Sequence, residues 1–301
     1  MPAFAYVRPQ TLPQAIDHLG APKAVVHAGG SDLLTCLRER IVDADTVVSI
    51  SGLSGLRGVR QTKAGGLRIG ALTTIAEVSE NPLVRQHYTA LARGAAEVAS
   101  PPLRNQGTIG GNLCQKPRCW YYRGEFDCLR KGGEICFAAG GENQFHCLFG
   151  SGGICYIVHP SDTAPALVAL NASLEIEGPK GPRTTTVDGF FVPPEESVRH
   201  ETWLANGEIV TAVHLPAPPA NLRSSYRKVR ARRAWDFALA GVALALQFDG
   251  ERVADARVVL SGAAPVPWRA EAVEAAITDR TVGILPVHYG GHPCEMEAIT
   301  E

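Results

Sequence analysis

Neither sign of charge prevails in this sequence of 301 residues, where 29 Lys and Arg face 30 Asp and Glu for a formal net charge of −1. That balance removes the general electrostatic reason to expect nucleic acid as a partner, because phosphate backbones are bound by basic surfaces. Long hydrophobic runs are missing as well. No stretch approaches the roughly 18 apolar residues that cross a bilayer, and Met1-Pro-Ala-Phe-Ala-Tyr-Val-Arg8 has no basic segment leading into an apolar one. The expectation is a cytoplasmic protein without membrane insertion, periplasmic only if exported with a partner that carries a signal. Three short signatures are also absent: the Gly-x-Gly-x-x-Gly of a dinucleotide Rossmann unit, the Lys-bearing P-loop, and a tight Cys-x-x-Cys knuckle. A Rossmann NAD enzyme and an ATPase are therefore disfavoured. There is no internal repeat and no low-complexity tract.

What the chain does have is a crowd of cysteines. Of eight, six fall between residues 114 and 155: Cys114, Cys119, Cys128, Cys136, Cys147 and Cys155. A single thiol reads as a small buried hydrophobe, which suffices for Cys36 and Cys294. Six thiols among Trp120-Tyr-Tyr-Arg-Gly-Glu-Phe-Asp127 and Arg130-Lys-Gly-Gly133 are too many for a polar, glycine-rich segment to bury in a core. Disulfides, zinc or an iron–sulfur cluster must hold them. A reducing cytosol disfavours disulfides and shifts the segment toward metal, and the missing Cys-x-x-Cys means neither the usual zinc knuckle nor a ferredoxin-like run is present to choose between zinc and iron–sulfur. Spacing alone does not select four ligands from six.

At 45% hydrophobic and 20% charged, the chain is long enough for two or three subdomains with cores of their own. Thr11-Leu-Pro-Gln-Ala-Ile-Asp-His-Leu-Gly20 predicts a capped helix, and residues 24–28, 46–50 and 66–70 read as strands, with helices at 32–40 and 83–98. After the cysteines, 155–159 reads as a strand, 162–170 as a helix and 173–177 as a strand. Gly178-Pro-Lys-Gly-Pro-Arg183 is the strongest punctuation and the expected domain boundary. Beyond it, strands at 208–215, 226–230, 237–248 and 256–261 precede a helix at 268–277, the order of a small α+β domain around an antiparallel sheet.

Three loops share a design in which a strand turns through glycine into a helix, so that free N–H groups and a positive helix end can face an anion. They are Ala28-Gly29-Gly30-Ser31-Asp32-Leu33, Ile69-Gly70-Ala71-Leu72-Thr73-Thr74, and Gly107-Thr108-Ile109-Gly110-Gly111-Asn112. One alone is weak evidence, since a helix end contributes only about 0.3–1 kcal/mol to an anion. Several together suit a pyrophosphate.

With Leu103-Arg104-Asn105-Gln-Gly-Thr-Ile-Gly-Gly-Asn-Leu113, Leu67-Arg-Ile-Gly-Ala-Leu-Thr73, Pro160-Ser-Asp162 and Tyr226-Arg-Lys-Val-Arg230 before Asp236, these loops resemble the FAD-binding medium subunits of the molybdenum hydroxylases, the xanthine dehydrogenase and aldehyde dehydrogenase group. The resemblance runs from about residue 4 to 277. It implies an α+β, two-subdomain FAD-binding fold of the PCMH type followed by a small α+β C-terminal domain. That corresponds to 1–178, split near 58, and 184–301. Carried over, it puts Ala28, Gly29, Gly30, Ser31, Asp32 and Leu33 at the pyrophosphate; Gly70 and Thr73 of the second loop, with Arg104 and Asn105, are further candidate cofactor-binding residues. By the same resemblance Thr108, Ile109, Gly110, Gly111 and Asn112 belong around phosphate and ribitol, Asp162 near the adenosine side, Val210 against the flavin, and Lys228 near the isoalloxazine. Read without the resemblance, Asp162 is equally a helix N-cap and Lys228 part of a basic strand face.

The cysteine segment is similar to an insertion in a narrower branch, the flavin subunits of 4-hydroxybenzoyl-CoA reductase and of bacterial aldehyde oxidoreductase, which binds an extra [4Fe-4S] cluster. The matching ligands are Cys119, Cys128, Cys136 and Cys155, leaving Cys114 and Cys147 over. After residue 277 the tail, with Gly290-Gly-His-Pro-Cys294, departs from the family pattern. The function implied is an electron-transfer flavoprotein working with a large molybdopterin-binding subunit and a small [2Fe-2S] subunit, with no catalytic acid or base of its own. The alternatives are a zinc-stabilised binding module and a self-sufficient flavin dehydrogenase.

Overall fold

The computed structural model describes residues 3–278. The tail reading, Cys294 included, lies outside the described residues. A first unit holds β1 (Ala5–Val7), α1 (Leu12–Leu19), β2 (Ala24–His27), α2 (Leu33–Arg38) and β3 (Thr46–Ser49), in a parallel sheet of order β1-β3-β2. The predicted α1 forms because Thr11 caps it, accepting from the Gln14 N–H, and because Ala15 and Leu19 face the sheet. One side of this sheet packs Ala15, Leu19, Val48 and Ile50 together, and the other Leu37, Ala44 and Val47.

The middle unit begins with β4 (Val59–Gln61) and β5 (Leu67–Gly70), then runs through short helices α3 (Ile75–Glu80), α4 (Pro82–His87), α5 (Thr89–Glu97), α6 (Pro101–Gln106) and α7 (Ile109–Leu113). Thr74 and Glu77 close a reciprocal capping box on α3, an arrangement whose loss costs about 1 kcal/mol. The single helix expected at 83–98 is two, because Tyr88 leaves helical geometry between α4 and α5, buries its ring and donates its hydroxyl to Pro216 O at 2.7 Å. The cysteine segment follows with one helical turn, α8 (Trp120–Arg123), before α9 (Thr163–Ala169), β6 (Ser173–Gly178), β7 (Gly181–Thr186) and β8 (Ile209–Leu215). The strand expected at 155–159 does not form. Its backbone bonds instead to irregular chain, the Tyr156 carbonyl accepting from Cys147 N and the His159 N–H donating to Ala264 O.

The middle sheet has the order β4-β5-β8-β6-β7, antiparallel throughout. Its connectivity corrects the expected boundary. Gly178 and Gly181 pair at the end of the β6–β7 hairpin, so the Pro- and Gly-rich run is a tight turn inside one sheet, which continues to β8. The last unit is the sheet β12-β11-β10-β9, from β9 (Leu222–Val229), β10 (Ala240–Asp249), β11 (Arg252–Ser261) and β12 (Trp268–Arg269), with α10 (Glu271–Ala276) after it. The helix expected from 268 starts later because Trp268 pairs with Leu260 as an edge strand. Helices α5 and α9 lie between this sheet and the middle one, and Leu91, Leu167, Leu174, Tyr226, Ala243 and Val259 belong to one core. Each fully buried aliphatic side chain there is worth about 1.5–3 kcal/mol relative to exposure.

Candidate functional site

The three glycine loops meet. A cavity of about 570 Å³ is bounded by Ala28, Gly29, Gly30, Ser31, Asp32 and Leu33 on one side, and by Thr108, Gly110, Gly111 and Asn112 on another. Asp162 and Val210 complete this wall. Thr108 caps α7, its Oγ1 accepting from Gly111 N, and the Ile109 and Gly110 N–H groups donate to Thr73 O and Ala71 O, so the free N–H groups expected of this loop are spent within the protein. Asn112 is fixed by Ser161 and Thr163, whose hydroxyls donate to its Oδ1 at 2.6 and 2.7 Å.

The glycines act differently from one another. A Cβ at Gly29 would lie 2.0 Å from Gln106 O, and one at Gly110 would lie 2.9 Å from the Ala71 Cβ. Both therefore let loop approach loop. Gly30, at φ +74°, supplies a left-handed turn. At Gly111 an added Cβ meets only the Thr108 hydroxyl of its own cap, and the residue is exposed beside the cavity. Gly111 is the glycine that leaves room for a ligand.

Six expected residues stand outside the cavity wall. Gly70 packs on the Leu56 carbonyl, and Thr73 spends its hydroxyl on the Gly58 backbone. Arg104 donates to Val98 O, Asn105 faces solvent, and Ile109 is fully buried in the core. Lys228 has a wholly buried side chain paired with Asp162, on whose Oδ2 its Nζ lies at 2.8 Å. Asp162, in turn, gives no side-chain cap to α9. Burial pushes its carboxyl up, while Lys228 and the Tyr226 hydroxyl pull it down.

Other wall residues escaped the sequence reading, chiefly Lys116, Arg118, Trp235 and Phe237. Lys116 and Arg118 come from the start of the cysteine segment and converge on Asp32. The Lys116 N–H donates to Asp32 Oδ2 at 2.8 Å, and Arg118 and Arg123 each pair with Oδ1 at 3.0 Å. The Asp32 carboxylate is thus an anchor for cations beside the cavity, and an anion would be held by those cations and by backbone N–H groups. Arg118 stacks over Phe237 at 5.3 Å. Trp235 (φ 53°) and Ala99 (φ 43°) both take left-handed geometry unusual for such residues and are joined by Trp235 N–H to Ala99 O. The only hint in the sequence was the density of Arg and Lys next to the glycine loops.

A second, small cavity lies in the cysteine segment. Cys119, Cys128, Cys136 and Cys155 all line it, together with Arg130 and His146. Cys147 is not in its wall, and Cys114 belongs to the larger cavity. Among the described residues, no three His, Cys, Asp or Glu side chains form a set able to hold a single metal ion. His146 Nε2 lies 3.2 Å from Cys119 Sγ. Burial pushes the Cys119 thiol up to about 11, with backbone N–H groups of Tyr122 and Tyr121 opposing it. Two buried polar atoms in this wall, Arg130 Nε and His146 Nδ1, have no hydrogen-bond partner. Arg130 Nε is a donor and calls for an acceptor, whereas the role of His146 Nδ1 depends on its tautomer.

The comparisons with known proteins agree with this geometry. The family described as FAD binding domain in molybdopterin dehydrogenase matches residues 2–218, and the CO dehydrogenase flavoprotein C-terminal domain matches residues 224–283. The chain belongs to the FAD-binding medium subunits of the molybdenum hydroxylases. It is 38% identical over 298 residues to the aldehyde oxidoreductase FAD-binding subunit PaoB of Escherichia coli (strain K12), covering 97% of this chain and 92% of that protein. The carbon monoxide dehydrogenase medium chain of Hydrogenophaga pseudoflava is 28% identical over 273 residues, 90% of this chain and 78% of its own. Among solved structures, the Hydrogenophaga pseudoflava carbon monoxide dehydrogenase that lacks the Mo-pyranopterin moiety superposes with a TM-score of 0.73 at 27% identity, covering 94% of this chain and 82% of that one. The α+β fold and the FAD-binding role implied by the resemblance are borne out. Among the described residues, no helix is long and apolar enough to cross a membrane.

Proposed function

We propose that this medium subunit transfers electrons between a large molybdopterin-binding subunit, through a small [2Fe-2S] subunit, and an external acceptor or donor, in the cytoplasm. Membership in the family and the names of its relatives support that division of labour. The larger cavity is the proposed FAD site, with Ala28, Gly29, Gly30, Ser31, Asp32, Leu33, Thr108, Gly110, Gly111, Asn112, Asp162 and Val210 around it. FAD bound there would supply reversible electron storage. The chain's own part is binding and orientation: N–H groups at the first glycine turn and the Lys116 and Arg118 cations suit a pyrophosphate, and apolar Val210 and Phe237 suit a ring.

In the thiol cavity we propose a [4Fe-4S] cluster on Cys119, Cys128, Cys136 and Cys155, which would supply a one-electron centre. The observation that carries this reading is that these four thiols, of the six in the segment, border one cavity whose wall also holds the orphaned Arg130 Nε and His146 Nδ1. All four must lose their protons to bind iron; burial pushes the Cys155 thiol up, and the Ile157 N–H and Arg130 oppose it.

The test of the functional reading is turnover. The FAD-loaded chain alone should pass electrons to an artificial dye but oxidise no aldehyde, purine or aryl-CoA substrate until both partner subunits are added. Substrate turnover by the chain alone at the rate of an assembled complex would make it a self-sufficient flavin dehydrogenase.

A further inference from the structure

Glu201 is shared by the two cavities. Its carboxylate pairs through Oε2 with Lys116 Nζ and through Oε1 with Arg130. Lys116 lines the larger cavity and Arg130 the thiol cavity. The side chains of Arg130 and Glu201 are 2% and 11% exposed, so this bridge lies where a charge is screened far less than in water. Its backbone is held as well: Val192 N–H donates to Glu201 O at 3.1 Å, and Phe191 pairs with Thr202.

Each cation is also tied to its own site. The Lys116 N–H holds Asp32 of the first glycine loop. Arg130 touches Cys155 and keeps an unpaired Nε in the wall of the thiol cavity.

We propose that Glu201 is a positioning residue that couples the electrostatics of the two cofactor sites, holding Lys116 at the flavin and Arg130 at the cluster. The coupling rests on the cluster reading given above. A carboxylate shared in this way offsets both cations at once, so its loss leaves two positive charges without their partner, the buried Arg130 beside the thiol cavity and the partly exposed Lys116 beside the larger one. Positive charge near a redox centre favours its reduced form. Glu201→Gln, which keeps the shape of the side chain, therefore raises both midpoint potentials. Lys116→Met lowers mainly that of the flavin, and Arg130→Met mainly that of the cluster.

The experiment is a potentiometric titration of the full chain, purified without oxygen, following flavin absorbance and cluster paramagnetic resonance in one sample after flavin and iron are quantified. Upward shifts of both midpoints in Glu201→Gln, with Glu201→Asp nearer wild type, support the coupling. Joint loss of flavin and iron from Glu201→Gln, with Glu201→Asp retaining both, supports it too, as loss of a shared anchor. With iron present in the wild type, unmoved potentials, a shift of one centre only, or loss of one cofactor only would overturn the coupling and leave the cluster standing. A wild-type chain that holds flavin but no iron would overturn the cluster and the coupling together.

Discussion

Lys228 Nζ lies 2.8 Å from Asp162 Oδ2, with the two side chains 0% and 5% exposed. Tyr226 adds its hydroxyl to the other carboxylate oxygen at 2.7 Å and bonds Ser261 Oγ at 3.0 Å. Since Lys228 and Tyr226 belong to β9 while Asp162 precedes α9 and borders the larger cavity, the cluster ties the C-terminal sheet to the wall of that cavity. Lys228→Met should leave a buried carboxylate without its cation, a change that costs about 3–5 kcal/mol. Thermal unfolding should show that loss, and Asp162→Asn in the same chain should recover part of it. An unchanged Tm in Lys228→Met would deny the pair its role in holding the sheet.

Gly111 and Gly29 should fail in different ways. Gly111→Leu fills the space beside the cavity without meeting neighbouring backbone, so gel filtration should yield a folded chain that has lost its flavin. Gly29→Ala drives a Cβ against Gln106 O, so circular dichroism should register a lowered Tm before any question of flavin arises. Full flavin in Gly111→Leu would remove the phosphate assignment from α7.

Iron analysis separates the six clustered cysteines. Ser at Cys119, Cys128, Cys136 or Cys155 should lower bound iron sharply, whereas Ser at Cys114 or Cys147, which stand outside the thiol cavity, should leave it near wild type. Iron lost on changing Cys147 but kept on changing Cys155 would reverse the ligand choice. About one zinc per chain with no iron would favour the zinc reading.

Two groups set an acid dependence of stability. Arg68 above all, then His214 and Thr211, hold the Glu175 carboxyl down at about 2 against an ordinary 4.5, so its contribution is whole above about pH 4.5 and is lost as pH falls toward 2. Burial holds His159 neutral down to about 3 against an ordinary 6.5. The unfolded chain therefore takes up that proton first, and stability falls between pH 6.5 and 3. Urea unfolding across this range should show a flatter profile for Glu175→Gln at the acid end and for His159→Asn nearer neutrality. Profiles parallel to wild type would contradict both assignments.

Much of this was legible along the chain. The glycine turns, the Thr11 cap and the alternating strands are local signals, set by backbone geometry and by residues a few positions apart, and they located most elements and the glycine-loop part of the larger cavity's wall. Non-local partners were not legible. Nothing in the sequence announces that Tyr88 reaches Pro216, that residues 178–183 close a hairpin, or that Lys228 turns inward to Asp162. Lys116 and Arg118 of the wall were missed for the same reason, since they meet Asp32 across more than 80 residues. Those contacts exist only once the cysteine segment has folded back on the first glycine loop.

The most direct measurement is cofactor content of the anaerobically purified full chain, read as flavin, iron and sulfide per polypeptide with the visible spectrum. The account predicts one FAD and about four iron atoms, with broad absorbance near 400 nm beside the flavin bands. Flavin bands alone, with no iron or sulfide in a fully folded chain, would contradict it.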